Sequence, residues 1–256
     1  MKNSSEFTTA TIQMSVKGVP TEMKLEIPKN TVKPQRMLPV FQQMTNKFVQ
    51  ISIDETDDDK KISCKAGCGA CCKQLVPIAK IEAHRLAKLI RGLPALQKTK
   101  IVKRFKKGFE HLTKSGWFKR YEKVSELSSE EKNKLGMDYF YEGIPCPFLE
   151  KGACSIHPDR PLVCREYLVT SPADNCAAPT AGSIDMVAQP LKMSSSIYRL
   201  SEEISSDDEP GYLPLISVLE WTTKNPDIFP TKSGETWMGI AMRKMMKSEE
   251  NKPDEE

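Results

Sequence analysis

At 256 residues the chain is long enough to bury a real hydrophobic core, and 39% hydrophobic with 28% charged residues is the balance of an ordinary globular protein. A net charge of +4, spread among many acidic side chains, gives no reason to look for a nucleic-acid or anionic-membrane partner. The first residues lack the apolar stretch of about 7–15 residues of a secretory signal, and no run nears the roughly 18–20 apolar residues of a membrane span, so the expected address is the cytoplasm.

In chain order, Ala10, Ile12, Met14 and Val16 alternate with polar residues, and so do Met23, Leu25 and Ile27. With Lys17-Gly18-Val19-Pro20-Thr21 as the turn, this predicts a hairpin with one buried face. Met37, Phe41, Met44, Phe48 and Ile51 recur at helical spacing, with Pro39 suited to the first turn. Residues 54–59 form an acidic link, read as a solvated loop. Pro77 is expected to open a helix with Ala79, Ala83, Leu86, Ala87 and Ile90 on one face, stopped by Gly92 and Pro94. A second helix from about Pro94 carries Val102, Phe105, Phe109 and Leu112 on one side. Its other side holds Lys98, Lys100, Lys103, Arg104, Lys106 and Lys107, and because the aromatics fall at core spacing a solvated face is favoured over a phosphate-binding groove.

Ser115-Gly116 interrupts that helix, and Trp117, Tyr121 and Val124 continue an apolar face beyond it. Ser128-Ser129-Glu130-Glu131 fits a capping box opening a helix to about Tyr141. Residues 146–180 carry Pro147, Pro158, Pro161, Pro172 and Pro179 and read as a long loop, which a compact domain keeps only when something other than a core holds it. A strand at 187–193, a polar loop at 201–210, helices at 214–224 and 233–247, and a disordered tail at 249–256 complete the chain; the last helix groups Trp237, Ile240, Ala241 and Met245. The expected class is α+β: a mostly helical single domain over residues 8–248. It comprises an N-terminal β-hairpin plus helix (8–53), a loop-rich cysteine-ligated core (64–176) and a C-terminal helical part (185–248).

All eight cysteines fall in two blocks: Cys64, Cys68, Cys71 and Cys72, then Cys146, Cys154, Cys164 and Cys176. In a reducing cytosol such a set reads as metal ligands before disulfides. Gly67 and Gly69 argue against regular helix in the first block and favour a knuckle that turns backbone amides toward sulfur. Gly152 offers a second turn, two residues before Cys154. Four thiolates around a divalent ion leave a net charge of −2, and Arg160 and Arg165 are placed in sequence either to compensate it or to make ordinary salt bridges. His157 is a ligand candidate or a solvent-facing loop residue, while His84 and His111 carry no functional weight.

The pattern C-x-x-x-C-x-x-C-C, then C-P-F-L, G-x-C-x-I and R-P-x-x-C-R between Cys64 and Arg165, resembles the YkgJ family of cysteine-cluster proteins. His157 departs from it, standing where that family has an aromatic. The resemblance implies chelation of zinc or iron and leaves the biological role open. Three functional classes follow. The thiols hold zinc in a structural or interaction module. Or they hold an iron–sulfur cluster, such as a 4Fe-4S centre, in an oxidoreductase or methyltransferase similar to the flagellin lysine methylases. Or they bind metal exchangeably for trafficking or sensing. A radical S-adenosylmethionine enzyme is disfavoured by Ala70, where that family places an aromatic, and by the lack of a βα repeat.

Overall fold

Strands β1 (Phe7–Val16) and β2 (Val19–Pro28) pair antiparallel along their whole length, from Phe7 opposite Pro28 to Val16 opposite Val19. The computed structural model describes residues 6–57, 59–180, 182–205 and 209–246. The hairpin turn is only Lys17-Gly18, both at positive φ, a geometry whose twist matches the strands it joins. Val19, Pro20 and Thr21 therefore belong to the strand and not to the longer turn expected. Alternation sends Val16, Met23, Leu25 and Ile27 into the core, with Ala10, Ile12 and Met14 packed against it.

The short strand β3 (Thr31–Val32) leads through a 3-10 turn at Pro34–Met37 into α1 (Leu38–Asp54), which buries Phe41, Met44, Phe48 and Ile51 as its stripe predicts. Asp54, Glu55, Asp57 and Asp59 are exposed, and Asp58 of the same acidic link lies outside the described residues. Pro77 does not open a helix. It begins β4 (Pro77–Ala79), which pairs antiparallel with Tyr212–Pro214. Helix α2 (Lys80–Gly92) starts three residues later, where the Glu82 carboxyl accepts the Ala79 amide at 2.9 Å.

Helix α3 (Ala95–Lys114) buries Ile101, Phe105, Gly108 and Leu112, so Val102 is exposed. Phe105 and Leu112 are buried as expected, while Ile101 and Gly108 take the places expected for Val102 and Phe109; a side chain at Gly108 would meet Ile216 Cδ1 at 2.7 Å. Helix α4 (Trp117–Tyr121) follows, then α5 (Ser129–Tyr141). Its capping box is complete: Ser128 Oγ accepts the Glu131 amide at 3.2 Å, and Glu131 Oε2 accepts the Ser128 amide at 2.8 Å.

The stretch expected to be loop is a string of short elements: β5 (Leu149–Glu150), β6 (Ala153–Cys154), a 3-10 turn at His157–Asp159, α6 (Leu162–Glu166) and α7 (Ala173–Ala177). Residues 187–193 form no strand; Val187 donates its amide to Leu168 O at 2.9 Å beside an isolated Val169–Met186 bridge. Helix α8 (Met193–Ile204) takes residues 201–204 of the polar loop expected at 201–210; residues 205, 209 and 210 are non-helical, and residues 206–208 lie outside the described residues. Its buried serines hid it: Ser194 bonds Glu166 and Ser196 Oγ donates to Ala241 O at 2.6 Å, so polar letters sit on an apolar face.

Beyond it come β7 (Tyr212–Pro214), α9 (Val218–Lys224), β8 (Lys232–Ser233), which pairs with β3, and α10 (Gly234–Met246). Helix α10 buries Trp237, Ile240, Ala241 and Met245; Lys247 and the 249–256 tail lie outside the described residues. The class is thus α+β and mostly helical. Two hydrophobic cores result. One joins the hairpin, α1, α8 and α10; the other joins α2 to α5 with α9. Among the described residues, no helix is long and apolar enough to cross a membrane.

Candidate metal centre

The two cysteine blocks meet where the two cores adjoin. The second block is anchored by its own apolar letters: Phe148 and Ile156 are buried in the second core, while Leu162 enters the first. Phe148 packs edge-on against Phe105, with ring centroids 5.4 Å apart. Lys151-Gly152, again with both residues at positive φ, turns the β5–β6 hairpin and sets Leu149 opposite Cys154. Arg104 is not part of the solvated lysine face. Its Nη1 donates to Pro147 O at 3.1 Å and Leu149 O at 3.3 Å and pairs with Glu150, fastening the hairpin to α3.

The first block is not helical until Ala70–Lys73, a single 3-10 turn. Gly67, at φ +84°, lets Cys68 bond its amide to Lys65 O. Gly69 has a different task from the one its sequence suggested. Its φ is −118°, but a Cβ there would lie 2.4 Å from Gly152 O and 2.6 Å from Leu149 Cδ1. Two backbones touch at this point, and the Cys146 amide donates to Cys72 O at 2.6 Å beside it.

Six of the predicted residues, Cys68, Cys71, Cys72, Cys146, Cys154 and Cys164, line one cavity of about 190 Å³ together with His157 and Arg160. Cys64 and Cys176 do not line it. Cys176 is buried in α7, its carbonyl bonded by Gln74 Nε2 at 3.2 Å and its sulfur 4.0 Å from Tyr167 Oη. All eight thiols are free. Among the described residues, no group of three or more Cys, His, Asp or Glu side chains stands poised to hold a metal ion. The donor set is nevertheless the soft, sulfur-rich one that zinc and iron–sulfur centres use.

Electrostatics separates the thiols. Burial pushes Cys146 up to about 12 and Cys164 well above its ordinary value, and it raises Cys64, Cys154 and Cys176 too. Cys71 is raised first by its hydrogen bond with Cys72, then by burial. Negative charge on Cys71 would raise Cys64, Cys146, Cys154, Cys164 and Cys176, so this sulfur neighbours thiols of both blocks. Backbone amides work the other way. Those of Phe148 and Leu149 lower Cys146, that of Ile156 lowers Cys154 and that of Val169 lowers Cys64. Amides aimed at sulfur thus occur in both blocks, since Cys71 is also lowered by its own amide in the turn that follows Gly69.

The arginines divide their work. Arg160 opposes charge on Cys64, Cys71 and Cys154, and its buried Nε has no hydrogen-bond partner among the described residues. Arg165 is a clamp: it donates to Arg160 O at 3.1 Å, to Asn46 Oδ1 at 3.1 Å and to Pro158 O, tying the loop between Cys154 and Cys164 to α1. His157 is exposed at the cavity rim, and desolvation with Arg160 and Arg165 nearby lowers its pKa. His84 packs edge-on to Trp221 and Phe229, and His111 bonds Glu142 at 2.8 Å, neither near the thiols. Sequence reading missed Glu82, buried in α2, whose Oε1 accepts the Leu162 amide at 2.9 Å and so sets the start of the helix bearing Cys164.

Residues 63–181, a little under half of the chain, match the model of the CxxCxxCC family, described as a "putative zinc- or iron-chelating domain". Neither curated proteins nor solved structures gave a match. The family's name spaces its first two cysteines by two residues, whereas Lys65-Ala66-Gly67 makes three here.

Proposed function

We propose that this protein holds zinc or iron through thiolates drawn from both cysteine blocks. The observation that carries the reading is the cavity itself: six cysteines from segments about eighty residues apart line one space of about 190 Å³. Cys68, Cys71, Cys72, Cys146, Cys154 and Cys164 supply the donors, and Cys64 and Cys176, which do not line the cavity, each feel the charge of Cys71. Metal supplies the positive charge that lets buried thiols ionise. The chain's part is to bring the sulfurs together, to aim amides at Cys146 and Cys154, and to set Arg160 against the residual negative charge. Eight reduced thiols suit the cytosol.

Anaerobic purification with elemental analysis and a visible spectrum tests the reading. Colourless, zinc-loaded protein is the expected result for a thiolate zinc centre, whose filled d shell gives no colour. Iron with acid-labile sulfide and broad visible absorption would move the assignment to an iron–sulfur centre and with it to a redox or methyl-transfer enzyme. Cys71→Ser and Cys146→Ser should each lower metal content at least severalfold; unchanged metal in both variants would defeat the ligand assignment.

A further inference from the structure

The β1–β2 hairpin is a sheet of its own, so each strand has an outer edge. Its two-residue turn, together with the Lys29 amide donating to Glu6 O at 3.0 Å, sets the phase of the ladder. Even-numbered residues of β1 bond to β2, and Thr9, Thr11, Gln13 and Ser15 turn their N–H and C=O groups outward. On β2 the outward residues are Pro20, Glu22, Lys24, Glu26 and Pro28. That edge is guarded: proline has no N–H to offer, and an incoming strand would have to strip water from the charges. The β1 edge carries neither device, for Phe7–Val16 contains no proline, no glycine and no charge. Among the described residues, no hydrogen bond reaches the outward backbone groups of Thr9, Thr11, Gln13 and Ser15. On the core-facing side Ala10, Ile12 and Met14 are only half-buried, while Met23, Leu25 and Ile27 of β2 are buried.

A strand added along β1 would satisfy those backbone groups and cover that apolar row. It must alternate apolar with uncharged polar residues, and β1 is itself such a strand. Among the described residues, the chain's remaining strands, β3 to β8, are two or three residues long and already paired. We propose that β1 pairs with β1 of a second copy, antiparallel about a twofold axis at Ile12, to make one four-stranded sheet. In that register Thr9 lies opposite Ser15 of the second copy and Thr11 opposite its Gln13, so the outward groups of both edges satisfy one another. On the core-facing side Ile12 meets Ile12, and Ala10 meets Met14, small against large. The solvent-facing side brings together only Thr, Gln and Ser, so no like charges are opposed.

Sedimentation equilibrium of the full chain over about 1–300 µM, with amide exchange at both ends of the range, tests the pairing. The expected result is a monomer–dimer equilibrium. Exchange at Thr9, Thr11, Gln13 and Ser15 should slow severalfold as concentration rises, and exchange at Glu22, Lys24 and Glu26 should not. In a mixture of ¹³C-labelled and unlabelled chains, a cross-peak should join the Met14 methyl of one to the Ala10 methyl of the other. Thr11→Pro removes an N–H that bonds nothing within the hairpin, as Pro20 does on β2, and should raise the dimer dissociation constant at least about tenfold. Thr11→Lys, at an exposed position where any strand residue fits, should do the same by charging the edge, with thermal unfolding confirming the fold. A chain that stays monomeric throughout overturns the proposal. So does a dimer whose β1 amides exchange freely, or one that Thr11→Lys leaves unweakened. No cysteine lies in the hairpin, so the association reads out independently of metal content.

Discussion

Glu82 shows how much one buried side chain can govern. Its two oxygens hold the start of α2, through the Ala79 amide, and the start of α6, through the Leu162 amide. Burial pushes the carboxyl up to about 7 from an ordinary 4.5. Between those values the folded chain keeps a proton that the unfolded chain has lost. Folding then takes up a proton, so this group's contribution to stability falls as pH rises from about 4.5 through 7 and levels off above. Glu82→Gln is neutral at every pH but turns its NH2 toward one of two amide donors, which costs about 1–3 kcal/mol. The variant should therefore be the less stable at pH 5, and the difference between the two should shift by roughly 2 kcal/mol in the variant's favour toward pH 7.5, closing the gap or reversing it. Urea midpoints across that range measure it. A gap that does not change with pH would mean that the carboxyl titrates as an ordinary glutamate.

At the scale of elements, the contact between the first block and the β5–β6 hairpin is the one that assembles the centre. Gly69→Ala would drive a methyl group onto Gly152 O, a backbone atom that cannot swing away. It should cost about 1–3 kcal/mol as overpacking and, by parting the blocks, lower metal content. Gly152→Ala meets nothing within 4 Å but sits at φ +80°, so it should cost about 1–2 kcal/mol of left-handed strain and leave metal content nearly unchanged. Parallel elemental analysis and urea unfolding separate the two; equal metal loss in both variants would show that the contact is not what aligns the blocks. The pairing of the blocks was legible from cysteine spacing, and the hairpin, α1 and the capping box of α5 from local periodicity. What was not legible depends on partners remote in sequence. Pro77 is a strand residue only because Pro214 lies opposite, and α8 shows helical amphipathicity only once Glu166 and Ala241 satisfy its serines. Gly69 likewise read as a turn former because nothing local reveals the backbone pressed against it.

For the molecule as a whole, the question is whether metal makes the fold or uses it. In small zinc domains the ion replaces a core, and removing it unfolds the chain. Here two cores exist apart from the cysteines, one around Phe41 and Trp237 and one around Phe105 and Trp117, with both indole N–H groups bonded to carbonyls. The blocks are also pinned by groups other than sulfur: Phe148, Ile156 and Leu162 in the cores, Arg104 and Arg165 on carbonyls, and the Cys146–Cys72 backbone bond. When metal leaves, the raised pKa values let Cys146, Cys164 and the other buried thiols take up protons and pack as small apolar groups instead of repelling as thiolates. Chelation of the metal-loaded protein should therefore leave far-UV circular dichroism nearly unchanged. Amide exchange should quicken mainly in residues 64–73 and 146–177. Each ligating thiol regains a proton on release, so the chelator should strip metal more readily at pH 6 than at pH 8, and buffer-dependent calorimetry would count the protons exchanged. A cooperative loss of helix on chelation would reverse the conclusion and make the ion, rather than the two cores, the source of the fold.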